Sequence, residues 1–127
     1  MMKVKHSFLV FAAAFLMVMP AFAKTGVVYQ RQDSLRIVSL LQQAKAMKKK
    51  PANWMMWFGK QFVGIPYVGG TLDRTREELL VVNTRELDCT TYVEIVTALT
   101  MCAKHQETSF AAFCNHLKHV RYIGGEV

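Results

Sequence analysis

Apolar residues return at helical spacing in four stretches of the chain, which predicts a mainly helical domain. The first stretch follows a polar start at Asp33–Ser34, and the second, 52–63, is dense in tryptophan, phenylalanine and methionine. The third runs from Cys89 to about Lys104 and the fourth from about Ser109 to His119. The run Leu79–Asn83 is short, apolar and β-branched, which is typical of a strand. We therefore expect an α+β domain with few strands.

Local signals predict where these elements begin and end. Asp33–Ser34 can cap the first helix, and the cations of Lys48–Lys50 suit its C-terminus. Pro51 can occupy the first position of the next helix, and Gly64 can end it. The residues 121–123 are expected to begin a further strand, followed by a turn.

The third helix is the stretch that suggests chemistry. Asp88 is a natural N-cap, because its carboxylate can accept hydrogen bonds from the free N–H groups of the first turn. Cys89 would then be the first helical residue, where the positive end of the helix dipole favours a thiolate. Such a cysteine can be a nucleophile if a base lies near it. A small buried hydrophobic residue is the alternative interpretation of Cys89.

The segment Gly64–Leu72 separates the second helix from the strand. Pro66 forbids a continued helix, and Gly69 and Gly70 allow backbone shapes or close approaches that a side chain would block. An ordinary turn is one interpretation. The other is a loop that brings its backbone close to a ligand, with the Tyr67 hydroxyl as a hydrogen-bond donor.

The first 23 residues are typical of a secretory signal peptide. A charged start is followed by an apolar run too short to span a bilayer, and Ala21–Ala23 offers small residues for cleavage. We expect a mature domain of residues 24–127 that is periplasmic or secreted, with no membrane span once the signal is removed. The net charge of +7 is scattered apart from Lys48–Lys50, so nucleic acid is not an expected partner.

Three cysteines are an odd number for an exported chain. Cys102 and Cys114 lie on two successive predicted helices, so they could pair across a helical hairpin and leave Cys89 free. Two buried thiols are the equally open alternative. No CxxC pattern or His/Cys spacing indicates a metal site, so we expect no zinc and no cofactor.

The joint pattern of loop and helix start resembles a known family. Pro66–Gly70 followed by Asp88–Thr91 resembles the NlpC-like branch of papain-type cell-wall hydrolases. The wider run through Leu79–Asn83, Leu87–Glu94 and Val120–Tyr122 is similar to a bacterial subgroup of N-acetylmuramoyl-L-alanine amidases. This likeness covers most of residues 24–127.

The resemblance implies a papain-like cysteine hydrolase fold, present here mainly as its helical N-terminal part with an incomplete sheet. It implies an amidase of peptidoglycan fragments, in which Cys89 is the nucleophile and Tyr67 holds the substrate or the oxyanion. Gly69, Gly70 and Thr90 would also contact the substrate, while Asp88 keeps its role as helix cap.

The chain departs from this family in its histidines. The family places its catalytic histidine downstream, at the start of a strand, whereas this chain stops at Val127. His105, His116 and His119 lie on or beside the last helices, where solvent-facing histidines are common, and none is assigned as the base. We therefore expect a chain truncated before its base and weakly active or inactive.

Two further hypotheses stay open at this point. Trp54, Trp57 and Tyr67 could hold cell-wall sugars or peptides in a non-catalytic binding module. The chain could also be a fragment without a stable function, since missing core strands would leave sheet edges open.

Overall fold

The computed structural model describes residues 26–127, and the predicted signal peptide, residues 1–23, lies outside them. The elements follow in the order β1 (Val27–Val28), α1 (Arg31–Ala46), α2 (Trp54–Lys60), β2 (Leu80–Val81), α3 (Cys89–Lys104) and α4 (Phe110–Arg121), and a short 3-10 helix (Ile123–Gly125) ends the order. The described part of the chain is therefore mixed α and β and mainly helical. Within it, no helix is both long enough and apolar enough to cross a membrane.

Helix α3 lies at the centre of the domain and packs against α1, α2 and α4. Its apolar face supplies Ile95 and Leu99, both of which are almost fully excluded from solvent. Helices α3 and α4 run antiparallel, as two contacts show. Arg121 pairs with Glu94 towards one end of the hairpin, and His116 stacks on His105 towards the other. The buried side chains form one continuous core, which includes Ile37, Leu41, Phe58, Leu80, Phe113 and Leu117.

The sheet has two strands, and they are parallel. Val27 lies beside Leu80 and Val28 beside Val81, so the start of the described chain pairs with a segment that follows two helices. The predicted strand Leu79–Asn83 is present but shorter. Beyond Val81 the backbone turns away after Val82 N–H donates to Val28 O at 2.8 Å.

Several predicted boundaries are wrong at the ends of α1 and α2. Helix α1 begins at Arg31 and ends at Ala46, so Asp33 lies at its third position and not at its cap. Asp33 is fully buried, and its Oδ2 accepts a hydrogen bond from Gln30 N–H at 2.8 Å. Helix α2 begins at Trp54 and not at Pro51, because the Asn53 side chain caps it by accepting from Met56 N–H.

The strand expected at residues 121–123 is wrong. Helix α4 continues through Arg121, whose side chain is held by partners on other elements. The chain then forms the 3-10 helix, where Gly124 has a φ of 73°, a left-handed conformation that a strand does not contain.

Candidate active site

Cys89 is the first residue of α3, and Asp88 is the N-cap. Asp88 Oδ1 accepts a hydrogen bond from Thr91 N–H at 2.8 Å, while Thr91 Oγ1 accepts one from Asp88 N–H at 3.0 Å. These reciprocal bonds satisfy free donors at the start of the helix. The bonds from Thr91 hold the pKa of Asp88 below its ordinary value, so this cap stays ionised at neutral pH.

The Cys89 side chain is exposed. Residues in the first turn of a helix have no intrahelical partner for their N–H groups, so the Cys89 N–H is available to a ligand. The sulfur therefore lies next to a free backbone donor and at the positive end of a 16-residue helix. A thiol and a free backbone donor placed side by side can act together on a carbonyl group.

The loop that contains Tyr67 is tied to the residue two positions before Cys89. Val68 N–H donates to Leu87 O at 3.0 Å, and Leu87 N–H donates to Pro66 O at 3.1 Å. Tyr67 and Leu87 thereby form an isolated parallel bridge.

These two segments form a shallow groove of about 240 Å³. Tyr67, with 73% of its surface exposed, and Cys89 both line this groove. The lining is mostly apolar and aromatic, and its complete set is Phe62, Ile65, Tyr67, Leu87, Asp88, Cys89 and Tyr92. The groove therefore offers a mostly apolar surface that contains one carboxylate and one thiol.

Gly59 gives Tyr92 its place at the groove. A Cβ at Gly59 would lie 2.6 Å from the Tyr92 hydroxyl oxygen, which is closer than atoms can approach. The Tyr92 ring also packs edge-on against Phe62, with ring centroids 6.4 Å apart. Because Gly59 has no side chain, the Tyr92 hydroxyl of α3 can lie directly against α2.

A buried carboxylate anchors the loop that leads into Cys89. Asp33 Oδ1 accepts hydrogen bonds from Thr84 N–H at 2.9 Å and from the Thr84 hydroxyl at 2.8 Å, and Arg85 Nε lies 3.3 Å from it. Burial by itself would raise the pKa of Asp33, but the hydrogen bonds from Thr84, Gln30 and Arg85 outweigh it and lower the pKa. This role is not apparent from the sequence, because Asp33 is followed by a helical pattern that it could cap.

A second anchor joins the sheet to the same helix. Arg121 Nε donates to Glu94 Oε2 at 2.8 Å, and its Nη1 donates to Val81 O at 2.6 Å. The Arg121 side chain is only 4% exposed, so this ion pair is shielded from solvent. The first turns of α3 are therefore held by α1 through the preceding loop and by α4 through Glu94.

The remaining predicted site residues lie outside the groove lining. Gly69 and Gly70 are exposed, with no atom near the position of an added Cβ, and Gly70 has a φ of 72°. Thr90 is exposed, and its hydroxyl lies 4.0 Å from Cys89 Sγ. Trp54 and Trp57 are partly buried and pack against the core.

No histidine among residues 26–127 lines the groove. His105 is the C-cap of α3, roughly 24 Å from Cys89 at about 1.5 Å per residue. His116 stacks on His105 and so lies at the same distant end. His119 is exposed on α4, where its Nδ1 bonds to Asn115 O.

Cys102 and Cys114 are two buried free thiols and do not form the disulfide that was the other possibility. Burial raises the pKa of Cys102 to about 12, and the nearby Glu107 carboxylate adds to this. Burial likewise raises the pKa of Cys114 to about 11. Cys89 is thus the exposed thiol of the described residues.

Residues 57–127 match a protein family described as AmiA-like, N-acetylmuramoyl-L-alanine amidase-like. The chain belongs to this AmiA-like family. The match begins in α2 and includes the Tyr67 loop and the start of the Cys89 helix. It also includes every residue of the two anchors apart from those that precede residue 57, such as Asp33. No curated protein matches the chain.

The AmiA-like chain is also similar to a solved structure. The crystal structure of an N-acetylmuramoyl-L-alanine amidase from Bacteroides uniformis superposes with a TM-score of 0.54 and 35% sequence identity. The match covers 67% of this chain and 32% of that chain. The AmiA-like chain therefore spans about a third of the length of that amidase.

Proposed function

We propose that the chain forms the nucleophile-bearing part of a papain-like, NlpC-type cysteine amidase. Its substrates are peptidoglycan fragments, and the cleaved bond joins the lactyl group of muramic acid to the L-alanine of the stem peptide. The observation that carries the proposal is an exposed cysteine at the first position of α3, facing a groove that it shares with Tyr67. Membership of the AmiA-like family supports the class of substrate.

In the proposed mechanism the Cys89 sulfur attacks the amide carbonyl carbon. The carbonyl oxygen becomes an oxyanion, which the Cys89 N–H and the Tyr67 hydroxyl stabilise. The carbon–nitrogen bond then breaks as the departing amine of L-alanine takes a proton from water, and a thioester to the lactyl group remains. Water hydrolyses the thioester, releases the muramic carboxylate and restores the thiol.

The groove formed by residues 26–127 supplies the nucleophile and oxyanion donors but no imidazole. A positioned acid and base are typically worth about 10²–10⁴-fold in rate, and here the amine also needs a proton to leave. We therefore propose that this chain turns over slowly. We propose that this activity is periplasmic or secreted, because the predicted signal peptide would direct export and be cleaved after Ala23.

The test is to incubate the purified chain with N-acetylmuramoyl-L-alanyl peptides and measure the new free amino termini by mass spectrometry. We expect turnover about 10²–10⁴-fold below that of a longer AmiA-like amidase. Added imidazole should raise the rate in proportion to its neutral form, because it supplies the missing proton transfer. Turnover equal to that of the longer amidase, without imidazole, would contradict the proposed lack of a base.

Two variants separate catalysis from simple binding. Cys89→Ser should abolish both the basal and the imidazole-dependent rate, and Tyr67→Phe, which loses only a hydroxyl, should lower the rate without weakening binding. Iodoacetamide should modify Cys89 in the folded chain well before the buried Cys102 and Cys114. A chain that binds muropeptides equally well with and without Cys89, and never cleaves them, would instead be a binding module.

A further inference from the structure

The far end of the α3–α4 hairpin gathers three potential metal ligands from separate parts of the chain. They are the buried Cys102 near the end of α3, Glu107 in the connection and His116 on α4. One ligand atom from each lies within 4.8 Å of the other two. This cluster is remote from Cys89 and has no part in the proposed amidase mechanism.

The connection between the helices is shaped so that Glu107 returns to Cys102. Gln106 adopts a φ of 58°, the left-handed conformation that ends many helices. Glu107 N–H then donates to Cys102 O at 3.0 Å, and Gln106 N–H donates to Ala103 O at 3.2 Å. This paired pattern directs the chain back over the last turn of α3 and holds the backbone of Glu107 beside that of Cys102.

Helix α4 brings the third ligand. His116 Nε2 lies 2.6 Å from Glu107 Oε2, and the imidazole ring stacks on His105 with ring centroids 5.5 Å apart. The His116 side chain is 15% exposed and that of Glu107 is 39% exposed. The cluster is thus closed on the core side by Cys102 and open to solvent on the other, which leaves an entry path for an ion.

We propose that Cys102, Glu107 and His116 form a binding site for a single Zn²⁺ ion that joins the two helices of the hairpin. A thiolate, a carboxylate and an imidazole are ligands that zinc prefers, and three protein ligands leave a fourth position for water or a ligand. Cys102 loses its thiol proton to solvent as the sulfur–zinc bond forms.

The distances in the cluster fit this ion after small side-chain movements. Zinc bonds of about 2.0–2.3 Å in a tetrahedron separate neighbouring ligand atoms by roughly 3.4–3.6 Å. The Glu107–His116 contact must therefore open by about 1 Å, and the span to the sulfur must close by a similar amount or less. Rotation of the partly exposed Glu107 side chain adjusts the two distances to its own carboxylate, and a small movement of the His116 ring closes the span between His116 and the Cys102 sulfur.

Three lysines line a cavity beside the cluster, and one of them is held by backbone carbonyl groups. Lys45, Lys50 and Lys104 line a neighbouring cavity together with Glu107. The Lys50 ammonium is held elsewhere, by the Ala44 and Lys45 carbonyl oxygens at 2.9 and 3.0 Å. The carboxylate of Glu107 therefore has the imidazole of His116 as its close partner and can exchange that contact for an ion.

The test is to titrate the reduced, metal-free chain with Co²⁺, a spectroscopic substitute for Zn²⁺, and then to displace it with Zn²⁺. A Cys89→Ala background removes the exposed thiol from the titration. We expect one equivalent of Co²⁺ with a sulfur-to-cobalt charge-transfer band and tetrahedral visible bands, both lost when Zn²⁺ is added. Zn²⁺ should also raise the melting temperature of the same protein.

The variants Glu107→Gln and His116→Gln keep the size of each side chain and test the ligands one at a time. Loss of a group that only hydrogen-bonds to a metal ligand typically weakens metal binding about 10–100-fold. Each of these variants removes a ligand itself, so each should weaken Co²⁺ binding by more than that. Cys102→Ser should remove the charge-transfer band. Circular dichroism confirms that each variant is folded, and Cys114→Ala, the other buried thiol, is the matched control that should keep the full spectrum.

No Co²⁺ binding, or binding that survives both Glu107→Gln and His116→Gln, would overturn the proposal. A charge-transfer band that disappears in Cys114→Ala and persists in Cys102→Ser would do the same. In either case the 2.6 Å contact between His116 and Glu107 is an ordinary hydrogen bond of the hairpin.

Discussion

Replacing Asp33 by alanine should destabilise the whole domain, although Asp33 is far from Cys89 in sequence. The carboxylate is fully buried and accepts bonds from Gln30 N–H, Thr84 N–H and the Thr84 hydroxyl, all between 2.8 and 2.9 Å. It also neutralises Arg85, whose side chain is 29% exposed. Removal of one partner of a buried charge pair typically costs about 3–5 kcal/mol.

This cost is large compared with the free energy of unfolding of a small domain, about 5–15 kcal/mol. Alanine leaves the buried Thr84 N–H and hydroxyl without this acceptor, and each buried unpaired group costs about 1–3 kcal/mol. We therefore expect Asp33→Ala to lower the free energy of unfolding by about 3–5 kcal/mol. The melting temperature should fall by roughly 12–40 °C for a domain of this size.

The assay is urea unfolding followed by far-UV circular dichroism at neutral pH, with the slope on urea compared between proteins. Asp73→Ala is the matched control, because Asp73 is exposed on the loop between α2 and β2 and should change stability by less than about 0.5 kcal/mol. Asp33→Asn keeps one oxygen acceptor and should lie between alanine and the natural residue. A loss below about 1 kcal/mol for Asp33→Ala would refute the anchoring role.

The same carboxylate predicts how stability depends on pH. The folded-state pKa of Asp33 is below its ordinary value of 3.8, so the folded state favours the ionised form. Its contribution is therefore complete above the unfolded-state pKa of about 3.9 and is lost as the pH falls through the folded-state pKa. The stability difference between the natural protein and Asp33→Asn should be constant from pH 7 to about 5 and shrink in more acidic solution.

Two further substitutions test local geometry. In a Tyr92→Phe background, Gly59→Ala should raise the free energy of unfolding by about 0.5–1 kcal/mol, because alanine has the higher helix propensity. When the Tyr92 hydroxyl is present, the same substitution should lower the free energy of unfolding, because the added methyl group meets that hydroxyl. A double-mutant cycle should therefore give a coupling of about 1–3 kcal/mol. An additive cycle would contradict the close contact. Gln106→Gly should raise the free energy of unfolding by about 0.5–1 kcal/mol in urea titrations, since glycine adopts a φ of 58° without strain. Gln106→Ala retains the strain and should show no such gain.

The central helix was predictable from sequence because its signals are local. Each of Asp88 and Thr91 accepts a hydrogen bond on its side chain from the backbone N–H of the other. Four consecutive residues are therefore enough to predict the start of α3. The predicted span from Cys89 to about Lys104 matches the structure for the same reason. The joining of Tyr67 to this helix start followed from the family resemblance, and its physical basis is the backbone pairing at Leu87.

The anchors were not predictable, because their partners are distant along the chain. Asp33 has an ordinary capping pattern, and only Thr84, 51 residues later, shows that it is a buried anchor. A strand is the local expectation at Arg121, but its bonds to Glu94 and Val81 favour one more turn of helix. The sequence spacing of Cys102, Glu107 and His116 likewise hides a cluster that only the hairpin assembles.

The position of Cys89 at one end of α3 also determines its chemistry under oxidative stress. Cys102 lies near the other end of the same helix, roughly 20 Å away at about 1.5 Å per residue, whereas a disulfide requires Cα atoms within about 7 Å. An intramolecular bridge between them cannot form while α3 is intact. Peroxide should therefore convert Cys89 to a sulfenic acid or link two molecules into a covalent dimer, which a non-reducing gel would reveal.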